Sequence, residues 1–228
     1  MLSHASFVDS GGYYHIIGEV ANTGEEPLGA VEVTAELYDM DSNLIDLQVG
    51  QTLIEVLAPQ KKAPFDIVAA DEALSEDIDS YTLSTSYQVC GPEFEFKLCR
   101  PEFEFSFADV QTGWDDQGRF IVEGQVANNG TKQVQETHVV GTFYDDQGRV
   151  VGVGYSTPDP TTLTPGQAGD FRIVIEEVLG SVSDYALQAE SRNYLEIPEL
   201  SLSSVILVLV AAMTLVLCST SRRFPKLQ

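Results

Sequence analysis

From Tyr13 to Val20 apolar and polar positions alternate with period two. Tyr14, Ile16, Gly18 and Val20 fall on one side, and His15, Ile17 and Glu19 on the other. That spacing belongs to a β-strand. Asn22-Thr23-Gly24 then supplies a turn, for which Asn and Gly are suited because they tolerate positive φ. AVEVTAELYD, residues 30–39, alternates again: Val31, Val33, Ala35 and Leu37 line one face, and Glu32, Thr34, Glu36 and Tyr38 the other. This reads as a half-buried antiparallel strand. Asp39 to Asn43 is a polar turn, after which Leu44 resumes the sheet. Leu57-Ala58-Pro59-Gln60 is another turn, with Pro fixing φ. Ala63 to Ala69 gives a strand with Phe65 and Ile67 inward, residues 71–79 form an acidic connection with room for one helical turn, and Tyr81 to Val89 closes the series. Residues 3–9 already read as a strand.

The series then repeats. GEVANTG at 18–24 returns as GQVANNG at 124–130, an offset of 124 − 18 = 106. The offset holds through Tyr38-Asp39 and Tyr144-Asp145, Leu57-x-Pro59 and Leu163-x-Pro165, and Phe65-x-Ile67 and Phe171-x-Ile173. FEFSFADV opens the second copy, and WDDQGRF, residues 114–120, is a hairpin tip with Gly118 available for a bulge. Short strands with turns at intervals of about ten residues predict an all-β chain of two tandem antiparallel β-sandwiches. The first copy is placed at residues 1–91, a linker carrying the doubled PEFEF motif at 92–102, and the second copy at 103–194. Tyr81 and Tyr185 stand where a tyrosine corner would, although an ordinary strand position explains them better. In the linker region, Phe94 with Phe96 and Phe103 with Phe105 fall on one strand face each, either as plain strands or as a partner-binding surface.

Composition changes the picture at two points. Twelve Lys and Arg stand against thirty-five Asp and Glu, for a net charge of −23. Such a field repels nucleic acid and suits a well-solvated surface in salt water. The second point is the C-terminus. Leu200 to Thr220 carries no charge, and about twenty apolar and small residues at about 1.5 Å each span a bilayer core. Ser221-Arg222-Arg223 follows at once, so residues 200–220 are read as a transmembrane helix and 221–228 as a basic cytoplasmic tail. The two sandwiches then stand outside the cell. The N-terminus lacks the basic and apolar regions of a secretory signal, and for an exported chain Met1 would be an internal start.

The strand ending in LYD, preceded by G-x-V-x-N and followed by L-x-P and F-x-I, resembles the FxLYD domain of prokaryotic surface and membrane proteins. The naming motif reads AELYD at 35–39 and GTFYD at 141–145, with Ala35 and Gly141 in place of its Phe. The resemblance covers roughly residues 5–90 and 103–194. It implies an immunoglobulin-like β-sandwich in an extracytoplasmic setting, with no catalytic residues to carry over. Ile197-Pro198-Glu199-Leu200, the apolar span and Arg222-Arg223 are similar to the archaeal PEF-CTERM sorting signals. Those are cut by an archaeosortase with transfer to a membrane lipid; a plain single-pass anchor is the other reading.

Candidate chemistry is sparse. Asp39-x-Asp41-x-Asn43 opens like a calcium loop, but Leu44 and Gly50 stand where an EF-hand needs Gly and Glu. Asp39, Asp41, Asp145 and Asp146 are kept as weak calcium candidates, and no other metal or cofactor is expected. Asn129-Gly130-Thr131 is a sequon, so Asn129 is a glycosylation candidate, although a turn also explains it. Cys90 and Cys99, at equivalent points of the doubled nonapeptide, form a disulfide in an oxidising compartment or remain two thiols. His4, His15 and His138 lie far apart, and no nucleotide-binding or nucleophile motif occurs. The function expected is a membrane-anchored, non-enzymatic surface protein: a stalk, an adhesin, or a binder of other surface proteins or glycans, with no nucleic-acid partner. The alternative is an envelope protein that binds calcium or another ligand and delivers it to a membrane partner. A cytosolic, tail-anchored arrangement is third.

Overall fold

The computed structural model describes residues 1–69, 71, 74–90 and 104–194. The chain is all-β. The first copy contributes β1 (His4–Val8), β2 (Tyr14–Ala21), β3 (Leu28–Tyr38), β4 (Leu44–Gln51), β5 (Val56–Leu57), β6 (Lys62–Val68) and β7 (Ser80–Val89). The second contributes β8 (Phe105–Trp114), β9 (Phe120–Asn128), β10 (Val134–Tyr144), β11 (Val150–Ser156), β12 (Ala168–Ile175) and β13 (Asp184–Tyr194). All pairings are antiparallel. In the first copy β1-β2-β6 is one sheet, and β3 carries β4 on one side and β5 and β7 on the other. The second copy repeats the layout as β8-β9-β12 and β11-β10-β13. The acidic connection makes one tight turn, in which Leu74 N–H reaches Asp71 O and Asp77 N–H reaches Leu74 O. Residues 92–102, the span at 200–220 and the tail at 221–228 lie outside the described residues. Among the described residues no helix is long and apolar enough to cross a membrane.

β3 shows why these elements form. Its eleven residues alternate between buried and half-buried without interruption. Val31, Val33, Ala35 and Leu37 meet Ile16, Phe65 and Ile67 from the facing sheet, so each copy is two sheets closed over one apolar layer. The second layer holds Val122, Val126, Val139, Phe143, Phe171 and Ile173. Each large apolar side chain taken fully out of water stabilises the fold by about 1.5–3 kcal/mol. The layer is close-packed: Phe65 lies over Gly18, where an added Cβ would come within 2.5 Å of its ring. Ala30 and Glu136, 106 residues apart, both adopt left-handed φ (47° and 50°), the first inside the break in the β3–β7 register.

β2 keeps its two-sided pattern but is buried on both sides. Ile17 and Glu19, on the side away from Ile16 and Val20, are only 2% exposed. The reason is the second copy. β11 lies against β1, β2 and β6, and Val140 of β10 joins the apolar cluster of the first copy. Met1–Leu195 is accordingly one compact unit.

The repeated turn also works differently from expectation. None of Asn22, Thr23, Gly24, Asn128, Asn129 and Gly130 has positive φ. Asn22 is instead a buried tie, 2% exposed. Its amide donates to the carbonyls of Glu26 (2.8 Å) and Leu57 (2.9 Å) and accepts from Gly24 N–H (3.0 Å). Asn128 does the same with Lys132, Leu163 and Gly130 at 2.8, 2.9 and 3.0 Å. A short polar side chain here replaces backbone partners that three converging loops lack.

Four hairpin tips share one design. Asp9, Asp39, Asp115 and Asp145 each accept two backbone N–H groups of their own turn through one carboxylate oxygen. The fourth residue of each tip is left-handed: Gly12, Ser42, Gly118 and Gly148 have φ of 89°, 62°, 77° and 73°. Ser42 alone among them carries a Cβ and pays steric strain for it. Ser42→Gly should stabilise the protein by about 0.5–1 kcal/mol, the strain relieved less the extra backbone entropy of glycine. A raised thermal midpoint checks this; an unchanged or lowered one would show the turn to be relaxed.

Candidate functional site

The sequence-predicted carboxylates are employed in their turns. Asp39 accepts the backbone N–H of Asp41 (2.9 Å) and Asn43 (2.8 Å) and the Asn43 amide (2.9 Å), which hold its pKa below the usual value, the Asn43 side chain most. Asp145 accepts Gln147 and Arg149 N–H and faces the Arg149 guanidinium at 2.7 and 2.6 Å. These bonds, led by the Arg149 N–H, lower its pKa too. Asp115 and Arg119 repeat this in a tip with the same five residues, Asp-Asp-Gln-Gly-Arg. Asp41 lies on the Asp39 tip and Asp146 on the Asp145 tip. No group of three or more His, Cys, Asp or Glu able to hold a metal occurs among the described residues. Asn129 is exposed on the turn after β9, beside the buried Asn128, and its N–H donates to Glu104 O at 2.7 Å. Cys90 is disulfide-bonded. The other cysteines, Cys99 and Cys218, lie outside the described residues. Tyr81 takes no tyrosine-corner role: its hydroxyl meets His4 Nδ1 at 2.8 Å, a side chain rather than the backbone.

The chemically distinctive cluster lies instead between the copies. β2 presents Glu19, β6 presents Lys62, and β10 ends on Tyr144. The Tyr144 hydroxyl donates to Glu19 Oε1 at 2.6 Å, Lys62 Nζ stands 3.0 Å from Oε2, and the ammonium lies 5.7 Å from the centre of the Tyr144 ring. Burial, and then the carboxylate, push the Tyr144 pKa well up, so the phenol remains a donor at any ordinary pH. Two further bonds cross the boundary: Glu55 N–H to Glu190 Oε2 (2.9 Å) and Val150 N–H to the Ser3 hydroxyl (3.0 Å). A groove of about 810 Å³ runs along this seam, walled by Glu19, Lys62, Tyr144, Phe105, Leu187 and Glu190. Its walls combine aliphatic surface with a fixed ion pair, a lining that binds a mixed polar and apolar ligand or encloses chain.

His15 forms a second cluster, on the outer face of β2. Its ring stacks on Phe7 at 4.9 Å, with Nδ1 3.0 Å from Asp66 Oδ1 and Nε2 3.3 Å from Asp9 Oδ2. The hydrogen bond to Asp66 is the main cause that raises the His15 pKa, against the opposing effect of burial.

None of Glu19, Lys62, Tyr144 and His15 was singled out as a site residue by strand periodicity. One signal was available. At the offset of 106, Glu19 becomes Gln125 and Lys62 becomes Ala168. The charge and its counter-charge change together, as partners in one contact do. No protein-family model and no curated protein matches the chain.

Two outcomes follow. Lys62→Ala leaves Glu19 buried without its cation and should cost about 1–2 kcal/mol, less than a fully buried pair because Lys62 is half exposed. Adding Glu19→Gln reproduces the neutral pair of the second copy and should recover most of that loss in urea unfolding. A double variant no better than the single one would show the pair uncoupled. The second outcome concerns pH. A folded-state pKa raised above the unfolded value of about 6.5 adds stability that is complete below that pH and is lost as pH rises through the folded value. Thermal midpoints should therefore fall from about pH 6.5 upward in the native chain and stay flat there in His15→Gln; equal slopes would refute the assignment.

Proposed function

We propose that this chain is a membrane-anchored surface protein whose two sandwiches stand outside the cell as a rigid structural element that meets other surface components. The observation that carries this is the locking of the two copies into one unit through Glu19, Lys62 and Tyr144. A spacer or adhesive stalk needs modules that hold their relative orientation, and a buried cluster that cannot rotate without exposing a charge meets that need. The matching two-sheet layout of both copies supports an immunoglobulin-like module of the FxLYD kind. The charge-free run at 200–220 with Arg222-Arg223 behind it supports the anchor and its orientation, whether retained or processed at Ile197-Pro198-Glu199-Leu200. The disulfide at Cys90, with Cys99 as its nearest cysteine in sequence, supports an oxidising, extracytoplasmic setting. An exposed Asn129 is accessible to glycosylation there.

The groove between the copies favours a second reading, a ligand-binding envelope protein that delivers its cargo to a membrane partner. Both readings place the sandwiches outside the cell. Protease added to intact cells should digest the sandwiches and leave a short protected C-terminal fragment. Digestion only after lysis would overturn the topology. Heat on titration with calcium would favour the ligand-binding reading.

A further inference from the structure

The chain contains one Asn-Gly pair, Asn129-Gly130, and this pair carries the sequon. Asn-Gly is the asparagine linkage most prone to deamidate. The short Asn side chain reaches the next backbone nitrogen, and glycine places no Cβ in the way. That nitrogen attacks the side-chain carbonyl carbon. The new N–C bond closes a five-membered succinimide, and the side-chain nitrogen leaves as ammonia. Water then opens the ring at either carbonyl, giving aspartate or isoaspartate. The reaction is a net hydrolysis and needs no oxidant. Asn129 is exposed, so water and hydroxide reach it.

Ring closure has two requirements. The Gly130 nitrogen must give its proton to a base in solvent, and it must swing toward the Asn129 side chain. The turn opposes both. Gly130 N–H donates to Asn128 Oδ1 at 3.0 Å. A neutral amide oxygen is far too weak a base to take that proton, and it keeps solvent base from reaching it. Asn128 is itself fixed, 1% exposed, with its amide donating to the carbonyls of Lys132 and Leu163 at 2.8 and 2.9 Å. The backbone before Gly130 is tied as well. Asn128 N–H donates to Gln167 O at 3.0 Å and Asn129 N–H to Glu104 O at 2.7 Å. Three successive N–H groups therefore have set acceptors. Rotation at Asn129 that carries the Gly130 nitrogen to the side chain breaks the third of these bonds. The first copy builds the same turn around a stable pair: Asn22 Oδ1 accepts Gly24 N–H at 3.0 Å, and Thr23 stands where Asn129 does.

We propose that Asn128 guards Asn129 against deamidation and so keeps the sequon asparagine intact. Conversion would remove the amide nitrogen to which an N-linked glycan attaches. It would also add a carboxylate to a chain that already carries −23. The isoaspartate product would insert a methylene into the backbone of a turn held by three closely placed N–H groups. The consequence for a glycan rests on the surface-protein reading, but the chemistry and its test do not.

The test follows isoaspartate by mass spectrometry of the peptide that contains residues 128–131. The full chain is made in a host that does not glycosylate it and is kept in non-ionic detergent and mildly alkaline buffer. Ring closure in the native chain waits on opening of the turn, so Asn129 should convert at least about a hundredfold more slowly than in the guanidinium-unfolded chain. Asn128→Ala should raise the native rate at least about tenfold. Asn22→Ala removes the same three bonds from the first copy and controls for lost stability; it should leave the rate at Asn129 unchanged. Thr23→Asn, at an exposed position, sets a second Asn-Gly pair beside Asn22, and the introduced asparagine should convert as slowly as Asn129. Equal native and unfolded rates overturn the proposal. So does an Asn128→Ala chain as slow as the native one. An Asn22→Ala chain as fast at Asn129 as Asn128→Ala also overturns it, since opening of the whole fold would then be the gate. Should Asn128→Ala fail to fold, Thr23→Asn decides: conversion of its introduced asparagine at the unfolded rate removes the guard. Protease accessibility on intact cells is independent of all these results, so failure of the surface reading shows separately.

Discussion

A carboxylate with 2% exposure sits between two β-sandwiches, and the arrangement of the molecule follows from satisfying it. Removing a charge from water costs several kcal/mol unless partners replace the lost hydration. Glu19 finds a cation on its own sheet and a phenol on the other copy, so both oxygens are engaged only when the copies are in register. Apolar contact alone tolerates sliding, and Ile17 and Val140 supply area without direction. The hydrogen bond from Tyr144 supplies the direction. Burial of both faces of β2 and of Val150 on β11 are consequences of that register.

The acidity of the chain has a related logic. Four of its carboxylates, Asp9, Asp39, Asp115 and Asp145, organise hairpin tips by accepting backbone N–H groups, and two of those are also neutralised by the arginine four residues on. These groups build turns and have little capacity left for a cation. The remaining acid gives the surface its field, which acts at range and is governed by salt rather than by contact geometry.

How much was legible in the sequence depended on how many neighbours a residue answers to. β3 answers to one core and one solvent face, and its alternation reads out residue by residue. β2 answers to two cores, and period two separates its sides correctly without telling that the side of Ile17 and Glu19 is covered by the second copy. Asn22 and Asn128 were visible as repeated turn residues, yet their role rests on carbonyls 35 residues downstream, at Leu57 and Leu163, which no local rule connects. The outward Leu44, Leu47 and Val49 were read simply as a resumed strand, because the irregular register between Leu37 and Tyr38 puts Leu44 on the same face as Leu47 and Val49, against a period of two. The exchange of Glu19 and Lys62 for Gln125 and Ala168 was in plain view, but it acquires meaning only once the two residues are known to touch.

The described contacts that join the copies lie chiefly on β1, β2, β6, β10 and β11, away from the peptide that connects them in sequence. A backbone opened at the junction would leave each fragment one of the two complementary surfaces, the starting point for a split pair. A circular permutant would keep the same seam strands in a new order along the chain, with Ser3, which bonds Val150, the seam residue nearest the present N-terminus.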